Sequence, residues 1–197
     1  MAREIWVNIR LALAMFMLLA VVYSLAVLGV GQALFPSQAN GSLIMRDGTV
    51  VGSALIGQEI TSPALFHGRP SATVNPVTGR PEPYAANNSG VSSLGPTNGA
   101  LLAEIRANIE AARIVVPTGP IPANLVESSA SGLDPEITLG AALAQVSEIA
   151  ARNRIPVATL RSLVMREATP PTLGLYGTWR VNVLRLDLAL ERLVTKK

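Results

Sequence analysis

LALAMFMLLAVVYSLAVLGVGQALF, Leu11 to Phe35, decides how this chain must be read. No charged residue occurs between Arg10 and Arg46, and only Tyr23, Ser24 and Gln32 interrupt the apolar run. A helix rises about 1.5 Å per residue and a bilayer's hydrocarbon core is about 30 Å thick, so residues 11–35 are long enough to cross it. The main competing reading is a cleaved signal peptide. Its apolar stretch spans about 7–15 residues before a small-x-small cleavage site. The run here is about twice as long, and Phe35-Pro36-Ser37-Gln38 is a poor cleavage context, so the segment reads as a retained transmembrane helix. Arg3 and Arg10 precede it, and the first charges beyond it are Arg46 and Asp47. The positive-inside bias places residues 1–10 in the cytoplasm and residues 36–197 outside it.

No second stretch of this kind follows, and about 160 residues are enough for one domain with a core. With no cysteine in the 197 residues, disulfides and thiol chemistry play no part. The net charge of +3 and the isoelectric point near 9.8 raise the question of nucleic acid. The arginines are scattered, however, and interleaved with Glu104, Glu110, Glu127, Glu148 and Glu191, so no basic, aromatic-lined patch forms. The mean hydropathy of +0.39 is raised by the membrane segment.

Within the apolar run Ala26, Gly29 and Ala33 share a face, and small residues so placed let a second membrane helix approach closely. Beyond it, two short apolar runs around 41–45 and 50–56 flank Arg46-Asp47-Gly48, a strong β-hairpin signal because the turn needs positive φ. Residues 68–99 hold Pro70, Pro76, Pro81, Pro83 and Pro96, with many Asn, Ser and Gly and no helix or strand period. So long a connection is expected to be a structured loop that lies against something. Amphipathic helices are expected over 100–115, with Leu101, Leu102, Ile105, Ile109 and Ala112 on one stripe, and over 138–151, with Leu139, Ala142, Val146 and Ile149 inward. A third helix is expected to start at Pro156 and run to about Glu167. A strand over 181–186 and a short helix over 187–194 complete an α+β domain.

Little in the chain suits catalysis. The one histidine, His67, could join a serine and Asp134 in a hydrolytic triad, but no Gly-x-Ser-x-Gly elbow supports it. Asp134 and Glu136 straddle Pro135 and read as a turn or helix entry rather than a cation site. The only lysines are Lys196 and Lys197, so the phosphate-cradling Gly-x-x-x-x-Gly-Lys loop is absent. The Asp-Lys-Thr-Gly that accepts phosphate in P-type ATPases is also absent. No catalytic, cofactor-binding or metal-binding residue is therefore assigned.

Several motifs occur together and in order: Gly41-Ser-Leu-Ile44, Gly52-Ser-Ala-Leu-Ile-Gly-Gln58, Phe66-His-Gly-Arg-Pro-Ser-Ala72, Ser89-Gly90, Leu94-Gly-Pro-Thr-Asn98, Ser129-Ala-Ser-Gly-Leu-Asp-Pro135 and Val181-Asn-Val-Leu-Arg-Leu-Asp-Leu-Ala-Leu190. In this the chain resembles the C subunit of the bacterial Kdp potassium-transporting ATPase, from the membrane segment to the C-terminus. It departs from the family pattern at Val91, Ser93, Gly99 and Asp187. The resemblance implies a non-catalytic accessory subunit in the bacterial cytoplasmic (inner) membrane. Its implied partners are a channel-like potassium-binding subunit, a P-type ATP-hydrolysing subunit and a small helical subunit. ATP and potassium then belong to the complex rather than to this chain. The implied roles are assembly and that of a catalytic chaperone raising ATP affinity in the hydrolysing subunit. The motif residues His67, Arg69, Ser71, Asn88, Ser89, Gly90, Asn98, Ser131 and Asp134 become candidate interface residues. The alternatives are a membrane-anchored hydrolase using His67 and a serine, and a solute-binding or adhesion module.

Overall fold

A computed structural model describes residues 1–195; Lys196 and Lys197 lie outside the described residues. The chain forms two compact units, residues 1–51 and the remainder from Gly52 onward.

The first unit opens with one unbroken helix, Ala2–Leu34, the only one among the described residues long and apolar enough to cross a membrane. It comprises α1 (Ala2–Phe16), a π-helical stretch (Met17–Tyr23) and α2 (Ser24–Leu34). The Ser24 hydroxyl donates back to Leu19 O at 3.4 Å, within the widened turn. The helix starts well before Leu11 because nothing from Ala2 to Arg10 breaks it; Trp6 and Arg10 even stack, 5.8 Å apart. It stops one residue short of Phe35, because the ring of Pro36 disfavours helical geometry at the preceding residue, and Phe35 adopts φ −136°, ψ 55°. Gln32 is no bare polar group: Asn40, just past the single turn α3 (Pro36–Ala39), donates to its Oε1 at 3.0 Å. The hairpin follows as β1 (Leu43–Arg46) and β2 (Thr49–Ser53). Asp47 and Gly48 both have positive φ, 49° and 78°, as the hairpin turn expected there requires, and the pair fits type I′.

The second unit is α+β. Its helices are α4 (Gly99–Ala112), α5 (Leu139–Arg152), α6 (Val157–Glu167) and α7 (Val183–Thr195), with a 3₁₀ turn at Ala123–Leu125. A small antiparallel sheet runs in the order β3 (Glu136–Thr138), β5 (Arg180–Asn182), β4 (Ala168–Thr169), with Val181 opposite both Ile137 and Ala168. The core gathers Phe66, Val115, Ile137, Ile149, Leu160, Val164, Val181, Leu186 and Leu190. On α5 the expected Ala142, Val146 and Ile149 are buried, and the Thr138 hydroxyl caps the helix by accepting from Ala141 N at 3.2 Å.

Three expectations are corrected. The strand over 181–186 is only three residues long, and the helix begins at Val183 instead of Asp187. Val-Asn-Val-Leu-Arg-Leu-Asp-Leu satisfies both a two-residue and a helical period. Packing selects the helix, because Val183, Leu184, Leu186, Asp187 and Leu190 are then buried on one side. Pro156 is the N-cap of α6, with an extended ψ of 136°, so the helix proper starts one residue later. α4 ends at Ala112 instead of at residue 115, and of its stripe Ala112 is buried and Leu101, Ile105 and Ile109 are half-buried, while Leu102 is exposed.

Candidate interaction surface

Residues 54–67 form neither helix nor strand, turn at 54–56 and at 63–65, and are held by side chains from distant elements. Asn182 donates to Ala54 O at 2.8 Å and Asn153 to Ala64 O at 2.7 Å. Phe66 N donates to the buried Asp187 carboxylate at 2.8 Å. Gln145, wholly buried on α5, clasps the His67 backbone from both sides, accepting from its N at 2.8 Å and donating to its O at 3.1 Å. Buried polar groups are tolerated only when so paired.

The loop 68–99 carries no helix or strand before its last residue, Gly99, opens α4, yet it is built. Its isolated bridge Val74↔Pro81 closes a turn. The Thr73 hydroxyl donates to Glu82 O and accepts from Ala85 N, and Asn88 donates to Val74 O. A seam joins this loop to residues 127–134. Arg69 donates to Asp134 Oδ2 at 3.3 Å and to Ser128 O at 3.2 Å. The Ser71 hydroxyl donates to Gly132 O at 2.7 Å and accepts from Tyr84 N at 2.9 Å. Ser89 Oγ and Gly90 N both donate to Ser131 O, at 3.1 and 2.9 Å. Ser131 and Asp134 shape their own segment by accepting from Leu133 N and Glu136 N, which makes Asp134-Pro135 the expected turn. Gly132 has φ +68°, and a Cβ there would lie 2.7 Å from Gly90 O and 2.4 Å from the Thr73 methyl, so only glycine fits.

The structure thus brings Arg69, Ser71, Ser89, Gly90, Ser131 and Asp134 to one seam, with Asn88 bracing the loop behind it. Asn98 stands apart as the N-cap of α4, accepting from Ala100 N at 2.8 Å. His67 is also separate: its Nε2–H donates to Ser62 O at 3.1 Å, and burial lowers its pKa below 6.5 although the Ser62 bond opposes this. No serine hydroxyl bonds to His67 among the described residues, and Asp134 is engaged by Arg69, so the triad drawn from His67, a serine and Asp134 is not assembled. A cavity of about 290 Å³ lies beside the seam, lined in part by His67, Arg69, Tyr84 and Asn108. Burial, with the nearby Asp134 charge, raises the Tyr84 pKa to about 12, and its hydroxyl donates to Arg69 O. Among the described residues no group of three or more His, Asp or Glu could hold a metal.

Sequence reasoning missed Thr73, Tyr84, Gly132, Gln145, Asn153 and Asn182. Gln145 had a legible signal, since it lies one turn before Ile149 on the apolar side of α5 and so had to be buried. The others act through long-range partners that no local pattern reveals.

Fold and site describe a single-span membrane protein carrying an α+β domain whose polar motifs secure a long, shaped loop. Residues 5–192 match the family described as KdpC: K+-transporting ATPase, c chain, and the chain belongs to that family. It is 48% identical over 191 residues to a potassium-transporting ATPase KdpC subunit of Methylobacterium nodulans, covering 94% of this chain and 95% of that protein. The KdpC subunit of Polaromonas naphthalenivorans is also 48% identical over 191 residues, covering 94% of each chain. That of Bradyrhizobium diazoefficiens is 44% identical over 201 residues and the full length of both.

Proposed function

We propose that this chain is the non-catalytic accessory subunit of an ATP-driven potassium uptake complex, acting in assembly and in tuning the hydrolysing subunit. The observation that carries this reading is the family match from residue 5 to residue 192, and the polar motifs agree with it, since they shape a loop rather than place a nucleophile beside a base. The partners on this reading are the channel-like potassium-binding subunit, the P-type hydrolysing subunit and the small helical subunit, with bilayer lipid around residues 11–35. The N-terminus then lies on the cytoplasmic side of the inner membrane and the α+β domain on the other side. ATP is then on the far side of the membrane, so an effect on ATP affinity travels through subunit packing as a coupling between distant sites.

Docking is assigned to the loop 68–99. Its motif side chains fix the loop's shape from within, while Val77, 91% exposed, and Val91 face outward. Ala26, Gly29 and Ala33 are the helix face for a membrane neighbour; a Cβ on Gly29 would meet nothing within 4 Å in this chain. The test is mild detergent extraction of the tagged full chain followed by mass spectrometry. Co-purification with two larger membrane proteins, one of them an ATPase, is expected. A chain that elutes alone, while those two proteins remain together and active, overturns the reading.

A further inference from the structure

Residues 168–179, Ala-Thr-Pro-Pro-Thr-Leu-Gly-Leu-Tyr-Gly-Thr-Trp, link α6 to β5 and contain no charge. Apart from Val77, they present the three most exposed large apolar side chains of the α+β unit, Leu173 at 85%, Leu175 at 81% and Tyr176 at 70%, and Trp179 beside them is 47% exposed. The turn is nevertheless well defined. Thr172 and Tyr176 exchange two backbone hydrogen bonds, at 2.9 and 3.0 Å, and Leu175 N donates to Thr172 O at 3.1 Å. Leu173 and Gly174 both have positive φ, 55° and 73°, which makes this a type I′ turn. Position one of such a turn favours Asn, Asp or Gly, because a leucine Cβ clashes with its own backbone there. A leucine held in this conformation and packed on nothing is locally unfavourable in two respects at once. A contact outside the chain is what gives it a purpose.

We propose that this turn is a plug that inserts Leu173, Leu175 and Tyr176 into an apolar pocket on the extramembrane surface of a neighbouring subunit. The inference rests on the reading of the chain as a subunit of a transport complex. A protein pocket is the occupant that the observations favour over a bilayer. A fluid interface accepts an apolar segment in many conformations, whereas a strained and hydrogen-bonded tip gains only from a shaped partner. Peripheral lipid binding also draws on Lys and Arg beside the apolar residues, and none lies between Glu167 and Arg180. Tyr and Trp, which follow the leucines here, are among the residue types enriched in protein–protein hot spots.

Leu173→Asn is the sharpest test, since Asn-Gly is the preferred type I′ pair: it removes the apolar side chain while suiting the turn better than leucine does. The full chain is co-expressed with its partner subunits, and its dissociation from the detergent-solubilised complex is measured. Leu173→Asn and, separately, Leu175→Ser are expected to weaken association by about 10- to 100-fold, the range of a hot-spot side chain. The melting temperature of the free Leu173→Asn chain is expected to be unchanged or higher. A benzophenone photocrosslinker at position 175 is expected to label a neighbouring subunit. Unchanged affinity in both variants, or crosslinking to lipid, to a second copy of this chain or to nothing, overturns the plug while native co-purification leaves the subunit reading standing. Failure of the native chain to co-purify removes both.

Discussion

Arg69 and Asp187 show how much one side chain decides here. The Arg69 guanidinium serves Asp134 and the carbonyls of Glu127 and Ser128, with both charged side chains mostly shielded from water. Truncation strands a carboxylate and two acceptors, so Arg69→Ala is expected to cost about 2–3 kcal/mol. It should lower the melting temperature by roughly 5–10 °C for a chain of this size. The same variant is expected to leave the solubilised complex at milder detergent than the native chain. Asp187 accepts from Phe66 N through Oδ1, while its buried Oδ2 has no hydrogen-bond partner among the described residues. Burial pushes its pKa from 3.8 up to about 8, against the pull of the Phe66 bond and with help from the Glu191 charge. Between those values the folded chain keeps a proton that the unfolded chain releases. This contribution to stability is therefore full below about pH 4 and is lost as pH rises towards 8. Thermal melts from pH 5 to 8.5 are expected to show the native chain losing stability relative to Asp187→Asn, by an amount on the order of a few kcal/mol. An equal slope in the two chains refutes this account of Asp187. His67 contributes with the opposite sign: its lowered pKa makes its share of stability fall as pH drops through about 6.5.

The governing element is the loop 68–99 with the segment 127–134 against which it is sewn. Neither has a ladder of its own, so their backbone groups are satisfied across the seam and through hydroxyls. Gly132 is the stitch that admits no side chain. Gly132→Ala is expected to destabilise the domain by about 2–4 kcal/mol through overpacking and strained φ. Hydrogen exchange should quicken at Gly90 and across 71–85 well before it does in α5. The docking reading has its own measurement. Amides of the loop's outer turn around Val77 are expected to exchange more slowly in the complex than in the free chain, and equal rates would remove the loop from the interface. The loop's existence, length and ordered character were legible from its prolines and amides. Which of its polar residues were structural was not, because Ser71 and Gly132, or Ser89 and Ser131, meet only after the chain has folded back.

At the scale of the whole molecule, the unbroken helix Ala2–Leu34 and the flanking charges Arg3, Arg10, Arg46 and Asp47 govern placement. With the positive flank held inside, a reporter that works only outside the cytoplasm is expected to be active when fused after Lys197, a position outside the described residues. Strong activity of a cytoplasm-only reporter there reverses the orientation and reopens direct contact with ATP.

Local physics alone settled several features of this chain. A charge-free run of membrane length, an Asp-Gly hairpin turn and the apolar period of α5 are each written within a few residues, and a helix, a positive-φ turn and a buried face are found there, although the first helix begins at Ala2, nine residues before the apolar run. The rest was decided by contacts between distant segments. A strand such as β3 or β4 is two or three residues long and exists only because β5 lies between them. The switch from strand to helix at Val183 follows from which side of an ambiguous period meets the core. Arg69, Gln145 and Asp187 acquire their roles from backbone groups 58 or more residues away, a separation over which no sequence pattern carries information.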